Sequence, residues 1–322
     1  MINIPITFQM DGKGYYDREC PKEECQYTFK VHIDDWEKKV SDDAVHCPMC
    51  GHVDTSDKWL TKQQLEGIDD IINSWIDDYV SNQFDHIFDD MARTTKGNKY
   101  LKITYKPGQR ASFVNNPLGH LPEWEQEIRC PQCATRYSVI GPAYFCPCCG
   151  HNGIGEIVIE SLDNIKKMIS SLQEMEQLLA KDHGKDAANS MCRAMLEGSL
   201  GDVVSSFQKF AEIRFHALSS KQVRVNDFQI VEKGGNLFKE THGKGYDDFI
   251  TGEELSFMKL MFQRRHVMEH NGGIVDDEYM KKSGDTSYSK GQRLIINKAD
   301  VLELIIVVKK LSAGLKGLEG KE

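Results

Sequence analysis

An arginine and two histidines stand close together near the end of a helical pattern in the C-terminal half of the chain. Arg265 is followed directly by His266 and, five positions on, by His270, after which come Asn271 and two glycines. Arginine is a permanent planar cation that matches phosphate, while histidine titrates near neutrality and can give or take a proton. This combination could act on a phosphodiester without a metal. We therefore take Arg265, His266, His270 and Asn271 as the candidate catalytic residues.

Two alternatives to this interpretation stay open at the level of the sequence. Arg265 and Glu269 are four positions apart, so they could form an ion pair on one helix face while His270 and Asn271 only cap the helix. Arg264 could also take the place of Arg265, because it lies six positions before the same histidine. The bare spacing of arginine and histidine is a weak signal, since it arises often by chance.

Residues 265–272 resemble the motif of HEPN domains, an α-helical family whose ribonuclease members carry Arg-x4–6-His with a small polar residue after the arginine. The resemblance covers roughly the second half of the chain, and the histidine that follows Arg265 departs from the usual asparagine or aspartate. It implies metal-independent RNA cleavage by a homodimer. In that family pattern Arg265 would stabilise the phosphate, His270 would act as general acid or base, and His266 and Asn271 would orient the scissile nucleotide.

Internal attack by a ribose 2′-hydroxyl needs a base for that hydroxyl, an acid for the leaving 5′-oxygen and positive charge for the phosphorane. One motif offers one well-placed histidine, and two protomers would supply two. Dimerisation is therefore part of the expected catalytic site, and no catalytic metal is expected. The family resemblance further implies a toxin or phage-defence effector, with a protein inhibitor or activator as a partner.

Eight cysteines form two similar knuckle pairs in the first half of the chain. Each pair starts with a Cys-Pro turn and closes with Cys-Pro-x-Cys-Gly-His or, in the second copy, Cys-Pro-Cys-Cys-Gly-His. Two tight turns that each carry two thiolates can surround Zn²⁺ tetrahedrally. We predict two structural zinc sites, with the ligands Cys20, Cys25, Cys47 and Cys50 in the first and Cys130, Cys133, Cys146 and Cys149 in the second.

The repeat also decides between neighbouring candidates. It aligns Cys148 with Met49, so Cys149 is the predicted ligand and Cys148 a spare thiol. His52 and His151 could substitute as ligands, but each complete set of four cysteines leaves them unneeded. A catalytic zinc would keep an open coordination position, which this spacing does not indicate.

Between the knuckle pairs the charge changes sign. Apolar residues over 65–91 recur at helical spacing, and the opposite face of this predicted helix is acidic. The stretch after it is basic, with a strand predicted over residues 99–106. This strand could track phosphates, or it could simply cover the acidic helix. The candidate nucleic-acid-binding residues are Lys99, Lys102, Lys106 and Arg110.

Beyond residue 160 the pattern is helical. Helices are predicted from residue 161, from Lys185, over residues 252–270 and over residues 300–315, with Thr251 and Glu254 forming a capping box for the third. We expect a long loop with room for one short helix over residues 219–250, and a short strand over residues 293–296. This half is then a small α-helical bundle.

Length and charge limit the classes of protein to which this chain could belong. The 322 residues, of which 40% are hydrophobic, suffice for about two domains. A net charge of −9 argues against a protein that coats nucleic acid indiscriminately. No apolar run is long enough to span a bilayer, and no signal peptide precedes the cysteines, so we expect a soluble cytoplasmic protein without a membrane partner.

These expectations define a mostly α-helical fold with small β zinc ribbons. Residues 1–160 would form a double zinc-ribbon domain that recognises nucleic acid or a partner, and residues 161–322 a HEPN-like domain that cleaves RNA by 2′-hydroxyl attack at a composite dimer site. One alternative is a non-catalytic nucleic-acid-binding or adaptor protein whose helical bundle only dimerises. Another is a protein-interaction scaffold that binds no nucleic acid.

Overall fold

The structure is a computed structural model that describes residues 10–73, 76, 124–224 and 226–318. Within these residues the fold is mostly helical, with a small antiparallel sheet and two clusters of cysteines, and at that level it agrees with the predicted fold class. The chain divides into two compact units, unit 1 (residues 1–152) and unit 2 (residues 153–322). In the described ranges no helix is both long and apolar enough to cross a membrane.

The division between the units falls earlier in the chain than the boundary predicted near residue 160. The first long helix of unit 2 begins at Ile154 and includes the β-branched residues 157–159. Ile154, Val158 and Leu162 recur every four positions and are all buried. The helical period of the buried positions therefore outweighs the β-branching of the residues between them.

Unit 1 is built on short antiparallel strands. These are β1 (Tyr15–Glu19), β2 (Thr28–His32), β3 (Val45–His46), β4 (Val53–Asp54), β5 (Gln126–Arg129) and β6 (Arg136–Val139), with the short helix α1 (Ile33–Lys38) after β2. The larger sheet has the order β1-β2-β6-β5, while β3 and β4 form a separate hairpin. Strands β2 and β6 come from different knuckle pairs, so the two repeats share one sheet.

The centre of this sheet is also the centre of the unit 1 core. Phe29 pairs with Val139 and Val31 pairs with Tyr137 in the β2–β6 register, and all four side chains are buried. Fully buried Trp59 packs edge-on against Phe29. Since each repeat contributes one half of this core, we expect the two knuckle pairs to fold together.

Residues 62–73 are helical, in agreement with the first part of the predicted acidic helix. Thr61 and Gln64 cap this segment reciprocally, with hydrogen bonds of 3.1 Å from the Gln64 N–H to the Thr61 hydroxyl and 2.9 Å from the Thr61 N–H to the Gln64 amide oxygen. Ile76 is helical as well. The other residues of that predicted helix, the predicted strand over residues 99–106 and the four basic candidates lie outside the described residues.

Unit 2 is helical. Its helices are α2 (Ile154–His183), α3 (Lys185–Leu218), α4 (Val231–His242), α5 (Gly252–His270), α6 (Asp277–Ser283) and α7 (Lys298–Lys316). Helix α3 packs against α2, α5 and α7 and supplies much of the core, including Phe207 and Phe210. Helix α5 in turn packs against α3, α4, α6 and α7, which fixes the candidate catalytic segment in the unit.

The predicted bounds of α5 are confirmed, because local capping determines them. The Thr251 hydroxyl accepts from the Glu254 N–H at 3.1 Å, and the Glu254 carboxylate accepts from the Thr251 N–H at 2.7 Å. At the other end, the Asn271 and Gly273 N–H groups both donate to the Val267 carbonyl at 3.0 Å. The strand predicted over residues 293–296 is wrong, since only a single bridge joins Ile274 to Arg293.

The segment over residues 219–250, predicted as a long loop with room for one short helix, contains helix α4. Gly234 and Gly235 suggested a loop, but both lie inside this helix. The ring of Tyr246 packs directly on them, which explains why these positions are glycine. A Cβ atom at Gly234 would lie 2.5 Å from the Tyr246 hydroxyl oxygen. These glycines are therefore sites of close packing and not helix breakers.

Candidate functional site

The cysteine sulfurs of unit 1 gather into two groups of four. Within each group all Sγ atoms lie within 4.8 Å of one another. The Sγ–Sγ distances are 3.8 Å for Cys20–Cys50, 3.8 Å for Cys25–Cys47, 3.7 Å for Cys130–Cys149 and 3.5 Å for Cys133–Cys146. The structure thus brings together the same two sets of cysteines that the spacing predicts.

The distances in both sets fit a tetrahedral metal ion. Metal–sulfur bonds of about 2.3 Å place the four sulfurs of a regular tetrahedron about 3.8 Å apart. Burial, and after it the neighbouring sulfurs, raise the pKa of the Cys146 thiol. A bound divalent cation offsets this by stabilising the thiolate form. Each set could therefore hold one metal ion.

The repeat extends to the backbone of the knuckles. The Cys47 N–H donates to the His52 carbonyl at 2.8 Å, and the Cys146 N–H donates to the His151 carbonyl at 3.0 Å. The residue after the second cysteine of each set, Gln26 or Ala134, has a positive φ, at 48° and 56°. These matched conformations indicate that each set is held by the same backbone geometry.

The two closing knuckles pack on each other reciprocally. Phe145, which precedes Cys146, lies against Gly51, where a Cβ would be 3.0 Å from the Phe145 ring. His46, which precedes Cys47, lies against Gly150, where a Cβ would be 2.6 Å from the His46 ring. Both glycines also have φ near +70°, so a side chain there would be both strained and crowded. The two sets are parts of one compact assembly.

Cys148 and the histidines of the knuckles are not members of the two sets. The Cys148 thiol donates to the Lys39 carbonyl at 3.3 Å and does not belong to the second group. His52 lies 3.6 Å from the Asp54 carboxylate and packs near Trp59. In the described residues each set that could hold a metal is thus made of four sulfurs alone.

In unit 2, Arg264 points into the protein. Its guanidinium donates to Asp285 at 3.0 Å and to Asp300 at 3.1 Å, and the Tyr279 hydroxyl donates to the same Asp285 at 2.6 Å. Burial raises the pKa of Asp285, but hydrogen bonds from Tyr279, Ser287 and Arg264 outweigh it and lower that pKa to about 2. Arg264 is therefore committed to an ion-pair network that fixes α5, and it is not available as the arginine of the motif.

Arg265 is mostly buried, and one nitrogen of its guanidinium has no hydrogen-bond partner among the described residues. Its Nη2 forms an ion pair with Glu269 at 2.6 Å, and only 12% of its side chain is exposed. This ion pair is the one expected from the sequence as the alternative to a catalytic role. Its Nε is buried and has no hydrogen-bond partner in the described part of the chain. A donor left in that state costs about 1–3 kcal/mol, so an acceptor brought to Nε would stabilise the side chain.

His266 and His270 lie next to each other on the surface. One turn of α5 separates them, and their ring centroids are 4.7 Å apart with an angle of 53° between the planes. Both residues are exposed, and 60% of the His270 side chain is accessible. One protomer therefore carries two neighbouring histidines, whereas the sequence interpretation counted one. Their spacing of four positions was the signal that could have revealed the pair.

Asn271 takes part in the turn after α5. Its Nδ2 donates to the Ile274 carbonyl at 2.6 Å. Gly272 and Gly273 follow with φ of +58° and +80°, and Arg293 donates to the Gly272 carbonyl at 2.8 Å. The side chain of Asn271 thus points back to its own loop in this conformation, while the two histidines face solvent.

Comparisons with models of protein families, with curated proteins and with solved structures give no match for this chain.

Proposed function

We propose that this protein is a metal-independent endoribonuclease of the HEPN type, in which two zinc ribbons stabilise unit 1. The observation that supports the proposal most is the exposed pair of His266 and His270, with ring centroids 4.7 Å apart, beside the half-satisfied guanidinium of Arg265. Two groups that can exchange protons and one fixed cation are what cleavage of RNA by its own 2′-hydroxyl requires.

In the proposed reaction one histidine, in its neutral form, takes the proton from a ribose 2′-hydroxyl. The 2′-oxygen then attacks the adjacent phosphorus, and the bond from phosphorus to the 5′-oxygen breaks. The second histidine, in its protonated form, gives its proton to that 5′-oxygen. The products are a 2′,3′-cyclic phosphate and a 5′-hydroxyl, and Arg265 stabilises the charge on the phosphorane.

Each cysteine set holds a structural Zn²⁺ in this proposal. Four thiolates at tetrahedral spacing complete the coordination of zinc and leave no position for a substrate, so the metal stabilises the fold and takes no part in the cleavage. Unit 1 then serves to recognise nucleic acid or a protein partner, and Lys99, Lys102, Lys106 and Arg110 remain its candidate contacts.

The His266–His270 pair changes the expected role of dimerisation. If one chain supplies both acid and base, the second protomer is needed for additional positive charge and for enclosing the RNA, and not for the second histidine. The competing proposal is a non-catalytic RNA-binding or adaptor protein, and the ion pair between Arg265 and Glu269 favours it, because it partly neutralises the motif's cation.

A cleavage assay tests the proposal. Single-stranded RNA is incubated with the full chain in metal-depleted buffer. Zinc bound to the protein is measured in parallel to verify that the cysteine sets remain loaded. We expect wild-type protein to produce 2′,3′-cyclic phosphate ends, a single 2′-deoxy substitution to block its cleavage site, and His270→Ala and His266→Ala each to lower the rate about 100-fold or more.

His183→Ala is the matched control, because His183 is also an exposed histidine at the last position of a helix. This variant should cleave at the wild-type rate. Salt-sensitive RNA binding without cleavage would support the adaptor alternative, and neither binding nor cleavage would support the protein-interaction scaffold. Equal cleavage by His270→Ala and wild type would contradict the proposed site.

A further inference from the structure

A pocket of about 210 Å³ opens beside Arg265 and His266. Its lining comes from α3, the turn before α4, α5 and α6. The volume is below the range of about 300–1,000 Å³ that is typical of drug-sized ligands. The pocket is therefore large enough for one small group only.

The inner wall of the pocket is apolar. Val204 and Phe262 both line it, with 1% and 4% of their surface exposed, and Ile230 stands at the rim with 55% exposed. Phe262 also packs edge-on against Phe207, which holds its ring in place. A rigid apolar wall of this kind can take the face of an unstacked nucleobase.

Two amide side chains line the same pocket. Gln229 and Gln263 are both partly buried, and neither side chain is hydrogen-bonded to the rest of the described chain. A side-chain amide offers both donors and an acceptor, which is the combination that reads the edge of a base. A partly buried amide without a partner gains most when a ligand supplies one.

Two cationic side chains also line the pocket. Arg265 and Lys282 both line it, and each forms a 2.6 Å ion pair with an exposed carboxylate, Glu269 and Glu278. The Lys282–Glu278 pair is exposed and contributes little to stability, and Glu269 is half-exposed although Arg265 is not, so a phosphate can compete with both carboxylates for the cations. Arg265 also retains the unpartnered Nε described above.

We propose that this pocket binds one nucleotide of the RNA substrate, adjacent to the cleaved phosphodiester. The base packs on Val204 and Phe262, and Gln229 and Gln263 read its edge. Lys282 holds the phosphate of this nucleotide, while Arg265 remains with the cleaved phosphodiester. Because His266 lines the pocket and stacks near His270, a nucleotide held there places the neighbouring bond at the histidine pair. This inference rests on the proposed ribonuclease function and adds a base preference to it.

Binding is measured separately from cleavage. The four ribonucleoside monophosphates, their nucleosides and inorganic phosphate are titrated into the full-length His270→Ala variant, whose pocket lining is unchanged, by calorimetry or by NMR shifts. We expect one monophosphate to bind better than its nucleoside, than free phosphate and than the other three. Gln263→Ala should lower its affinity about fivefold, and Lys282→Ala should weaken all four monophosphates alike and reduce the salt dependence.

Gln173→Ala is the control, since Gln173 is an exposed glutamine of α2 outside the pocket, and thermal unfolding shows whether each variant is folded. If folded Gln263→Ala and Lys282→Ala bind like Gln173→Ala, or if no monophosphate binds, the nucleotide site is wrong, even where RNA is cleaved. If the variants alter binding as expected while wild type cleaves no RNA, the nucleotide site stands and only the ribonuclease proposal fails.

Discussion

The cysteine sets of unit 1 and the end of α5 in unit 2 are both clusters of reactive side chains, but they are held in different ways. Each cysteine set is formed by tight backbone turns, and the neighbouring knuckle packs on its glycine. The histidine pair instead projects from a regular helix, and its position depends on Arg264 and Asp285 beneath that helix. A cysteine set is thus recognisable in the sequence from two short paired spacings, while the partners that hold the candidate catalytic site carry no such spacing signal.

The largest effect should follow the loss of one cysteine ligand. Cys47→Ser removes one of four thiolates, and structural zinc sites of this kind contribute about 10–16 kcal/mol to folding. Because β2 and β6 share a sheet and the closing knuckles pack on each other, we expect both of the proposed zinc ions to be lost and all of unit 1 to unfold. Zinc content by mass spectrometry and limited proteolysis measure this.

Cys148→Ser is the control for this experiment, because the Cys148 thiol bonds to a carbonyl and lies outside both sets. It should retain two zinc ions per chain. If Cys47→Ser keeps one zinc ion and a protease-resistant second knuckle pair, the two repeats fold independently. The cysteine sets would then not form one cooperative unit.

A smaller effect should separate two adjacent arginines of α5. Arg264→Met leaves Asp285 buried without its cation, and breaking such a pair costs about 3–5 kcal/mol. Arg265→Met removes only a pair with a half-exposed Glu269, which is worth about 1 kcal/mol or less. Urea unfolding of the two variants tests this difference. Equal losses would mean that the network beneath the helix does not hold it as described.

The sequence predicted most where the determinants are close together in the chain. The cysteine sets follow from short spacings, and the bounds of α5 follow from Thr251, Glu254 and the glycines after Asn271. The role of Arg264 could not be predicted, because Asp285 and Asp300 lie 21 and 36 positions away. Gly234 likewise suggested a loop, since nothing local shows that Tyr246 packs on it.

The smallest effect concerns the pH dependence of the network beneath α5. The pKa of Asp285 is lowered from 3.8 to about 2 in the folded protein. A carboxylate whose folded pKa is depressed stabilises the fold above its unfolded pKa, and this contribution disappears as the pH falls through the folded value. The wild type should therefore lose about 2 kcal/mol between pH ~4 and pH ~2 through this group.

Asp285→Asn isolates that contribution, because it removes the titrating group from the same position. Acid also protonates the cysteine thiolates and releases their metal, but this occurs in both proteins, so the difference between wild type and variant reports on Asp285 alone. The difference in free energy of unfolding, measured by urea titration of unit 2 helicity, should be largest above pH ~4 and shrink by about 2 kcal/mol towards pH ~2. If this difference in free energy of unfolding is the same at pH ~2 and pH ~4, Asp285 is not ionised beside Arg264. The ion pair would then not be what holds the histidines of α5 in position, and the comparison with the cysteine sets would fail.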